Sequence, residues 1–510
     1  MERLVFSGGA YTARSTIANN QRCINYYPEL NSKDANSQIT LYQRPGLRPL
    51  VQGPQAPVRA LYRPSTGVGG YTVIGSELYY ITPQWTLQAL GQLTPNRSNI
   101  CSMIDNGIDL LVVDGSVSSP LAGGWTVNLA TQAFAQVNDV TGTFQGADRV
   151  DILDTYVLWN MPGTNLFGST LSNEIAFDAL YQAGKATYPD PLQTLLINRQ
   201  QIILLGQLKS EIWYDAGNVN FPFARLPGAY IEHGIAAKYS VAATDISTFW
   251  LMQDLQGQGM VLRQRGYQTT RVSNHALEWA LQQLYENGIS IADAIGYCYQ
   301  QGGHVFYVLT LPGGDQTWVY DDSISDPTQA WHQECWTDGD GLLHRHRGNC
   351  YAFINGMNVV GDWQNGSIYV MDSRQYYDEV EGTIYPLTCI RGFPHVMFGK
   401  LDTGTGFFTL PSNGLEVLHQ QFWLDLEAGN DPTQDVGPQL TLRYSSDRGR
   451  TWATAQLQSA GQLGQYFAQP KWGLLGRAQD RVYEISHAIP AQVALNGAWV
   501  YAVITEKNFL

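Results

Sequence analysis

The stretch His304–Asp322, HVFYVLTLPGGDQTWVYDD, decides how the rest of the chain is read. His304 to Thr310 is a β-branched and aromatic run, Pro312, Gly313 and Gly314 break it, and Gln316 to Tyr320 resumes an apolar alternation that stops at Asp321 and Asp322. This is the pattern of a β-hairpin. The same pattern recurs along the first three-quarters of the sequence. First strands begin near Tyr71, Asp109, Tyr156, Ile202, Phe249, Val305 and Tyr351, at spacings of 38, 47, 46, 47, 56 and 46 residues. Their partners are ELYYIT after Glu77, WTVNL after Trp125, EIAFD after Glu174, EIWYD after Glu211, MVLRQ after Met260, TWVYD after Thr317 and SIYVMD after Ser367. A period near the ~40 to 50 residues of a four-stranded blade predicts an all-β fold, a propeller of about seven blades, with six to eight compatible with the spacing. A single blade cannot bury both faces of its sheet, so the repeats must close on one another in a ring.

Outward from the repeats, the chain divides into an extended N-terminal arm (1–57), the propeller (58–375) and a C-terminal β module (376–510). In the arm, two prolines and a glycine between Arg44 and Pro49 forbid a central strand. The longest spacing holds SNHALEWALQQLYENG, where Leu277, Ala280, Leu281, Leu284 and Tyr285 fall on one helical face. Ser273 or Asn274 can cap this inserted helix and Gly288 can end it. Such a helix packs on the propeller or docks a partner. After Asp372 the period is lost, and TIYPLTCI, QFWLDLEAG, LTLRYSSDRGRTW, RVYEISHAI and AWVYAVI read as strands of a small sandwich.

Composition narrows the function. The formal net charge of −14 argues against a general nucleic-acid binder, which concentrates Lys and Arg to neutralise phosphates. No apolar run approaches the ~18 residues needed to span a bilayer, so no membrane insertion is expected. The opening residues lack the apolar core of a signal peptide. The six cysteines are scattered without a CxxC pair, as reduced thiols of a protein folded in the cytosol would be.

Three motifs invite a chemical reading. SSDRGRTW supplies Ser445, Asp447, Gly449, Thr451 and Trp452 in the order of an Asp-box, in which Asp and Ser hold a tight turn, Gly takes a backbone conformation closed to other residues, and Trp packs under the hairpin. The match specifies a hairpin and no activity, although sialidases carry such boxes around their propellers. His332, Cys335, His344 and His346 form the densest group of metal-ligating residue types, but Arg345 and Arg347 interleave the histidines and would compete with a cation. A solvated hairpin edge is the better expectation. TDGDG (Thr337 to Gly341) opens like a calcium loop and lacks the later bidentate carboxylate, and the acid pairs Asp321/Asp322 and Glu379/Glu381 fall in turns or near a domain junction. No nucleophile elbow, zinc-protease helix, P-loop or dinucleotide fingerprint is present, so no catalytic, cofactor or metal residue is assigned.

The order of segments resembles the tail hub proteins of the packaged-DNA-stabilisation family, which close the head-to-tail channel of short-tailed bacteriophages. The likeness rests on QRCINYYPE followed by QRPGL, then IILLGQLKSEIWYDAG, FWLMQ followed by a helix, HVFYVLTLPGGDQTWVYDD, SIYVMD, LTLRYSSDRGRTW and the GRAQDRVYEI stretch. The resemblance implies a non-enzymatic virion tail protein, assembled in the host bacterial cytoplasm as a homo-oligomeric ring, a hexamer, below the portal and its adaptor. It further implies tail spikes or fibres outside, a needle or nozzle below, and packaged double-stranded DNA retained and later passing through the lumen without sequence-specific contact. An acidic lumen would repel phosphates and let DNA slide. The alternative is a glycan-binding or sialidase-like propeller, suggested by the Asp-box and by 14 tryptophans. That reading requires an arginine cluster and a Tyr/Glu pair converging on the propeller axis.

Overall fold

The computed structural model describes residues 2–4, 9–12, 14, 19–32, 37–118, 121–139, 141–186, 188–218, 221–400, 407–409, 416–427 and 438–503. Seven groups of four antiparallel strands follow one another around an axis. Blade 1 runs from Val58–Tyr62 to Leu87–Gln92, blade 2 from Ser102–Asp105 to Phe134–Asn138, and blade 3 from Val150–Leu153 to Gln182–Gly184. Blade 4 runs from Leu192–Asn198 to Phe223–Ile231, blade 5 from Ala242–Ala243 to Gln268–Arg271, and blade 6 from Ile295–Gln301 to Trp331–Gln333. Blade 7 takes Gly348–Ile354, Met357–Asp362 and Ser367–Asp372 from its own stretch, and Gly46–Gln52 from far upstream. The propeller therefore has seven blades, and its ring is fastened by a strand from the beginning of the chain.

Two readings of the repeats are corrected by this topology. The runs taken as first strands are second strands in blades 1 to 6, because each blade also has a strand nearer the axis, and some of these, such as Ser102–Asp105 or Ala242–Ala243, have too few residues to alternate visibly. Only Tyr351 lies in a first strand, and Met357–Asp362 intervenes before Ser367–Asp372. EIAFD is not a strand. The partner of Tyr156–Asn160 is Leu166–Ser169, and residues 174–178 turn back, with the Phe177 ring stacked 4.6 Å from Phe144 and edge-on to Trp159 at 5.1 Å. Its apolar residues thus plug the seam between blades 2 and 3.

The described residues among the first 57 are divided among several sheets and do not form one arm along another surface. Gly46–Gln52 is the outer strand of blade 7, where Pro49 is tolerated because an edge strand needs only half its ladder bonds. Cys23–Ile24 pairs in parallel with blade 6 at Gln333 and antiparallel with Cys389–Gly392. Blade 6 is thereby continued into one nine-stranded sheet through Cys389–Gly392, Val482–His487, Gln439–Ser445 and Gln456–Ser459. The facing sheet carries Val417–Glu427 and Ala494–Val503, extended by Ile39–Gln43 and Tyr26–Leu30 on one side and Lys471–Gly473 on the other. Between the two sheets lie Phe422, Leu424, Leu442, Tyr483, Ile485 and Val500, all buried, in one apolar cluster with Leu251, Val261, Leu309 and Trp331 of blades 5 and 6. Propeller and sandwich share a sheet and a core, so they behave as one rigid block.

The helix His275–Glu286 forms as its pattern predicts. The Asn274 side chain accepts the Leu277 N–H at 2.9 Å, and Leu277, Leu281 and Leu284 are buried against the same core. Tyr285 stays half exposed, and its ring covers Gly257, where a Cβ would come within 2.6 Å of it. Gly257 also takes a positive φ of 84°, so the close approach and the turn both require glycine there.

Candidate functional site

The innermost strands of the blades surround an axial cavity of about 350 Å³ lined by Tyr62, Met103, Arg149, Tyr239, Tyr297 and Tyr351, among others. Hydrogen bonds tie the walls to one another. Arg149, at the head of blade 3, donates to the Val241 carbonyl of blade 5 at 3.1 Å, the Gly296 N–H donates to Tyr239 O at 2.9 Å, and the Tyr307 hydroxyl donates to Ser240 O at 2.8 Å. Burial lowers the Arg149 pKa, against the opposing charge of Asp151. A cavity of about 350 Å³ admits no duplex.

On the side where the inner strands begin, the axis widens into a bowl of about 620 Å³ that includes Lys238, Tyr239, Asp293, Arg345 and Trp363. Lys238 is held by Asp148 at 2.5 Å, and the Arg345 guanidinium lies 4.2 Å over the Trp363 ring, its pKa lowered by burial to about 10. Among the described residues, no glutamate lines either cavity and the arginines stand apart, one at the axis and one at the rim. The arginine cluster with a Tyr/Glu pair required by the sialidase-like alternative is not formed there.

The residues that the motifs singled out are placed as follows. Asp447 receives the N–H groups of Arg450 and Thr451 and the Thr451 and Ser445 hydroxyls, the Gly449 N–H donates to Ser445 Oγ at 2.8 Å, and Gly449 has a φ of 88°. These bonds, led by the one from the Thr451 hydroxyl, hold the Asp447 carboxyl well below the usual carboxylate range. Arg443 covers the Trp452 ring at 4.4 Å. The histidine segment is not a solvated edge. His332 and His346 are buried, and only His344 is partly exposed, between Asp315 at 2.8 Å and Asp338 at 3.2 Å. His346 accepts the Gly348 N–H, and burial lowers its pKa to about 4, which keeps it neutral. The segment pairs Cys335 with Arg345 and Trp336 with His344, and His344 turns to its two aspartates while His346, beyond the strand's end, is buried. Among the described residues no three His, Cys, Asp or Glu side chains converge as metal ligands.

Where the three regions of the chain meet, one buried cluster holds them together. Arg44 binds Asp378 through two bonds, at 2.6 and 3.1 Å, and also donates to Asn25 Oδ1 at 2.9 Å and to the Cys335 carbonyl at 3.0 Å. Asp378 in turn accepts the Leu47 N–H of the closing strand at 3.0 Å, and Asn25, at a φ of 57°, donates to Thr388 O. Burial works against the Arg44 charge, and the Asp378 carboxylate outweighs it, leaving the pKa above its ordinary value. The signal for these residues was faint: a lone arginine ahead of a proline, and an asparagine inside an apolar run.

A second polar contact at this joint holds a histidine between two carboxylates. His304 Nδ1 lies 2.6 Å from Asp321, Nε2 lies 3.5 Å from Glu29 of the N-terminal strands, and the Asp321 hydrogen bond leads in raising the His304 pKa. A folded-state pKa above the unfolded one stabilises fully below about pH 6.5 and loses that contribution as pH rises through the folded value. In urea titrations between pH 6 and 9 the midpoint should fall with rising pH, and the slope should flatten in His304→Gln. An equal slope in both proteins would remove His304 from the joint.

Comparison with known proteins now bears on identity. The family model described as "Bacteriophage P22 Gp10, beta-propeller" matches residues 3–376, and that described as "Bacteriophage P22 Gp10, beta-sandwich" matches residues 405–502. No curated protein matches the chain. Among solved structures, similarity extends to Kuenenia stuttgartiensis hydrazine synthase (8% identity, TM-score 0.41, 63% of this chain and 97% of that one). The N-terminal domain of Nup159 (9%, 0.38, 67% and 97%) and YCF48 from Cyanidioschyzon merolae (10%, 0.40, 64% and 99%) are comparable, and at these scores none carries an argument. No helix among the described residues is long and apolar enough to cross a membrane. With the propeller and the sandwich matched in their order along the chain, this protein belongs to the bacteriophage P22 Gp10 family, the tail hub and DNA-stabilisation proteins of short-tailed phages, and is a structural component of a virion tail.

Proposed function

We propose that copies of this chain close into a hexameric ring beneath the portal and adaptor proteins, hold tail spikes or fibres on the outside and a needle or nozzle below, and retain the packaged genome until ejection. The observation that carries this reading is the single rigid block made by a shared nine-stranded sheet and a shared core. Such a block offers two propeller faces, a rim and a sandwich to several neighbours without rearranging. Its own axial cavity, of about 350 Å³, is too small for a duplex, so the duplex passes through a lumen formed between copies. The surplus of acidic charge suits that lumen, because phosphates are repelled and DNA slides. The protein performs no reaction in this role. Assembly takes place in the host cytoplasm, a setting in which the cysteines, free in the structure, stay reduced.

Mixing the purified chain with portal and adaptor proteins should give a complex with six copies of it, measured by native mass spectrometry and imaged by cryo-electron microscopy. Particles assembled without the chain should release their packaged DNA. A monomer that ignores the portal complex, or DNA retention that is indifferent to its absence, would overturn the reading. A lumen lined with Lys and Arg would overturn the sliding argument alone.

A further inference from the structure

Along one side of the sandwich both sheets end in an open edge. Gln456–Ser459 is the last strand of the nine-stranded sheet and Lys471–Gly473 lies at the edge of the facing one, and the Trp472 indole N–H donates to Gln456 O at 3.0 Å, which brings the two edges together. Residues 460–470 join them in a tight loop, in which the Gln465 N–H donates to Gln462 O at 2.9 Å and the Ala468 N–H to Gln465 O at 3.1 Å. Trp472 and Leu475 are buried. The other large apolar side chains of this stretch face water: Leu457, Leu463 and Tyr466 are more than half exposed, and Phe467 and Leu474 are 96% and 95% exposed.

These five side chains present roughly 700 Å² of surface, more than the ~300–600 Å² of the largest apolar patch on a typical monomer and close to the ~800 Å² that one partner contributes to a stable interface. Open sheet edges are ordinarily guarded by charge. Here residues 453–476 hold one charged side chain, Lys471, in a chain that is 15% charged, and its ammonium lies 4.0 Å over the Trp423 ring. Leu474 also takes a φ of 57°, a left-handed conformation that a bulky residue adopts only at a cost. At 95% exposure its side chain makes almost no contact that could offset that cost within the chain.

We propose that this side of the sandwich is the face through which one copy of the chain contacts the next. The inference rests on the ring of copies proposed above and names the surface that closes it. Copies with a formal net charge of −14 each repel one another, and the repulsion is least where the contact itself is free of carboxylates. Residues 453–476 contain none. Depletion of charge around exposed aromatic residues is also the composition of an interface core. A nucleic acid is disfavoured, since the one cation of the stretch is engaged by Trp423. The next copy meets this patch with a different surface, because a patch that bound its own duplicate would stop at a pair.

The test counts copies of the full chain on the portal and adaptor complex by native mass spectrometry as the chain's concentration is raised, for the unaltered protein, Phe467→Glu and Leu474→Asp. The unaltered chain should fill the complex cooperatively, because each bound copy offers its patch to the next. In both variants the first copy should bind as before, while filling loses its cooperativity and its midpoint rises about tenfold or more. Both positions face water, so the variants fold. Leu474→Gly adds a control: glycine takes the same φ without strain, so the urea midpoint of the isolated chain should not fall while assembly still weakens. Cooperative filling by Phe467→Glu and Leu474→Asp at the concentration of the unaltered chain would overturn this proposal and leave the ring standing. Loss of even the first copy would assign the patch to the portal or adaptor, and would overturn it too. An unaltered chain that never exceeds one copy would end the ring reading and this inference with it.

Discussion

Asp378→Ala should lower the unfolding free energy by about 3 to 5 kcal/mol, the cost of leaving one member of a buried ion pair without its partner. Arg44 and Asp378 have side chains only 1% and 2% exposed, so water cannot replace what the substitution removes. The loss would not be confined to the pair. Asp378 also accepts the Leu47 N–H, and Arg44 also binds Asn25 and the Cys335 carbonyl, so the variant loosens the closing strand, the N-terminal strand and the exit from blade 7 together. Arg44→Met should cost a similar amount, leaving a buried carboxylate unmatched. The double variant Arg44→Met with Asp378→Leu should recover most of the loss, because apolar residues of similar volume often replace a buried pair with little penalty. Urea titrations of the unaltered protein, Arg44→Met, Asp378→Leu and the double variant measure the cycle. Independent, additive losses would show that the two residues do not work as a pair.

The repeats were legible because the middle strands of each blade are long, apolar and separated by Gly-rich turns, so Ile202–Leu205 or Phe249–Met252 betrays a buried strand on composition alone. Some strands nearest the axis are short and carry little alternation. Ala242–Ala243 cannot be distinguished from a loop without its partner at Thr248 and Phe249. The closing strand was illegible for a different reason. Its pairing with Ser367–Asp372 spans more than three hundred residues, and Pro49 and Gly46 gave it the look of a loop. The same holds for the joint. Nothing in the order of residues says that Asn25, Arg44 and Asp378 meet, since each is ordinary in its own neighbourhood and becomes decisive only where three segments converge. The histidines erred the other way. Their density at 332–346 drew attention, while the structure buries His332 and His346 and turns His344 to two aspartates.

Leu47→Asp should open the ring. Leu47 is fully buried, in one cluster with Tyr297, Tyr299, Val308, Val360, Tyr369 and Met371, so it ties blade 7 to blade 6 as well as to its own sheet. Truncation of such a leucine to alanine costs about 2 to 5 kcal/mol, and a carboxylate placed in the same apolar site adds an unpaired charge to the loss. The strand has little freedom to shift its register and escape. A Cβ on Gly46 would lie 2.3 Å from Tyr377 O and 2.5 Å from Gln375 O, so that end is clamped between backbone carbonyls that no side chain can push aside. Sliding by one residue would also turn Leu47 outward and Arg48 into the core. With Gly46–Gln52 released, Ser367–Asp372 becomes an open edge, and Ile39–Gln43, only a few residues upstream of the closing strand, loses its tether in the sandwich. Hydrogen exchange should therefore accelerate first across residues 367–372 and next across 39–43, while blade 3, on the far side of the ring, changes least. Unchanged protection at 367–372 in Leu47→Asp would show that something other than the upstream strand holds blade 7 shut, and the account of a propeller fastened by its own beginning would fail.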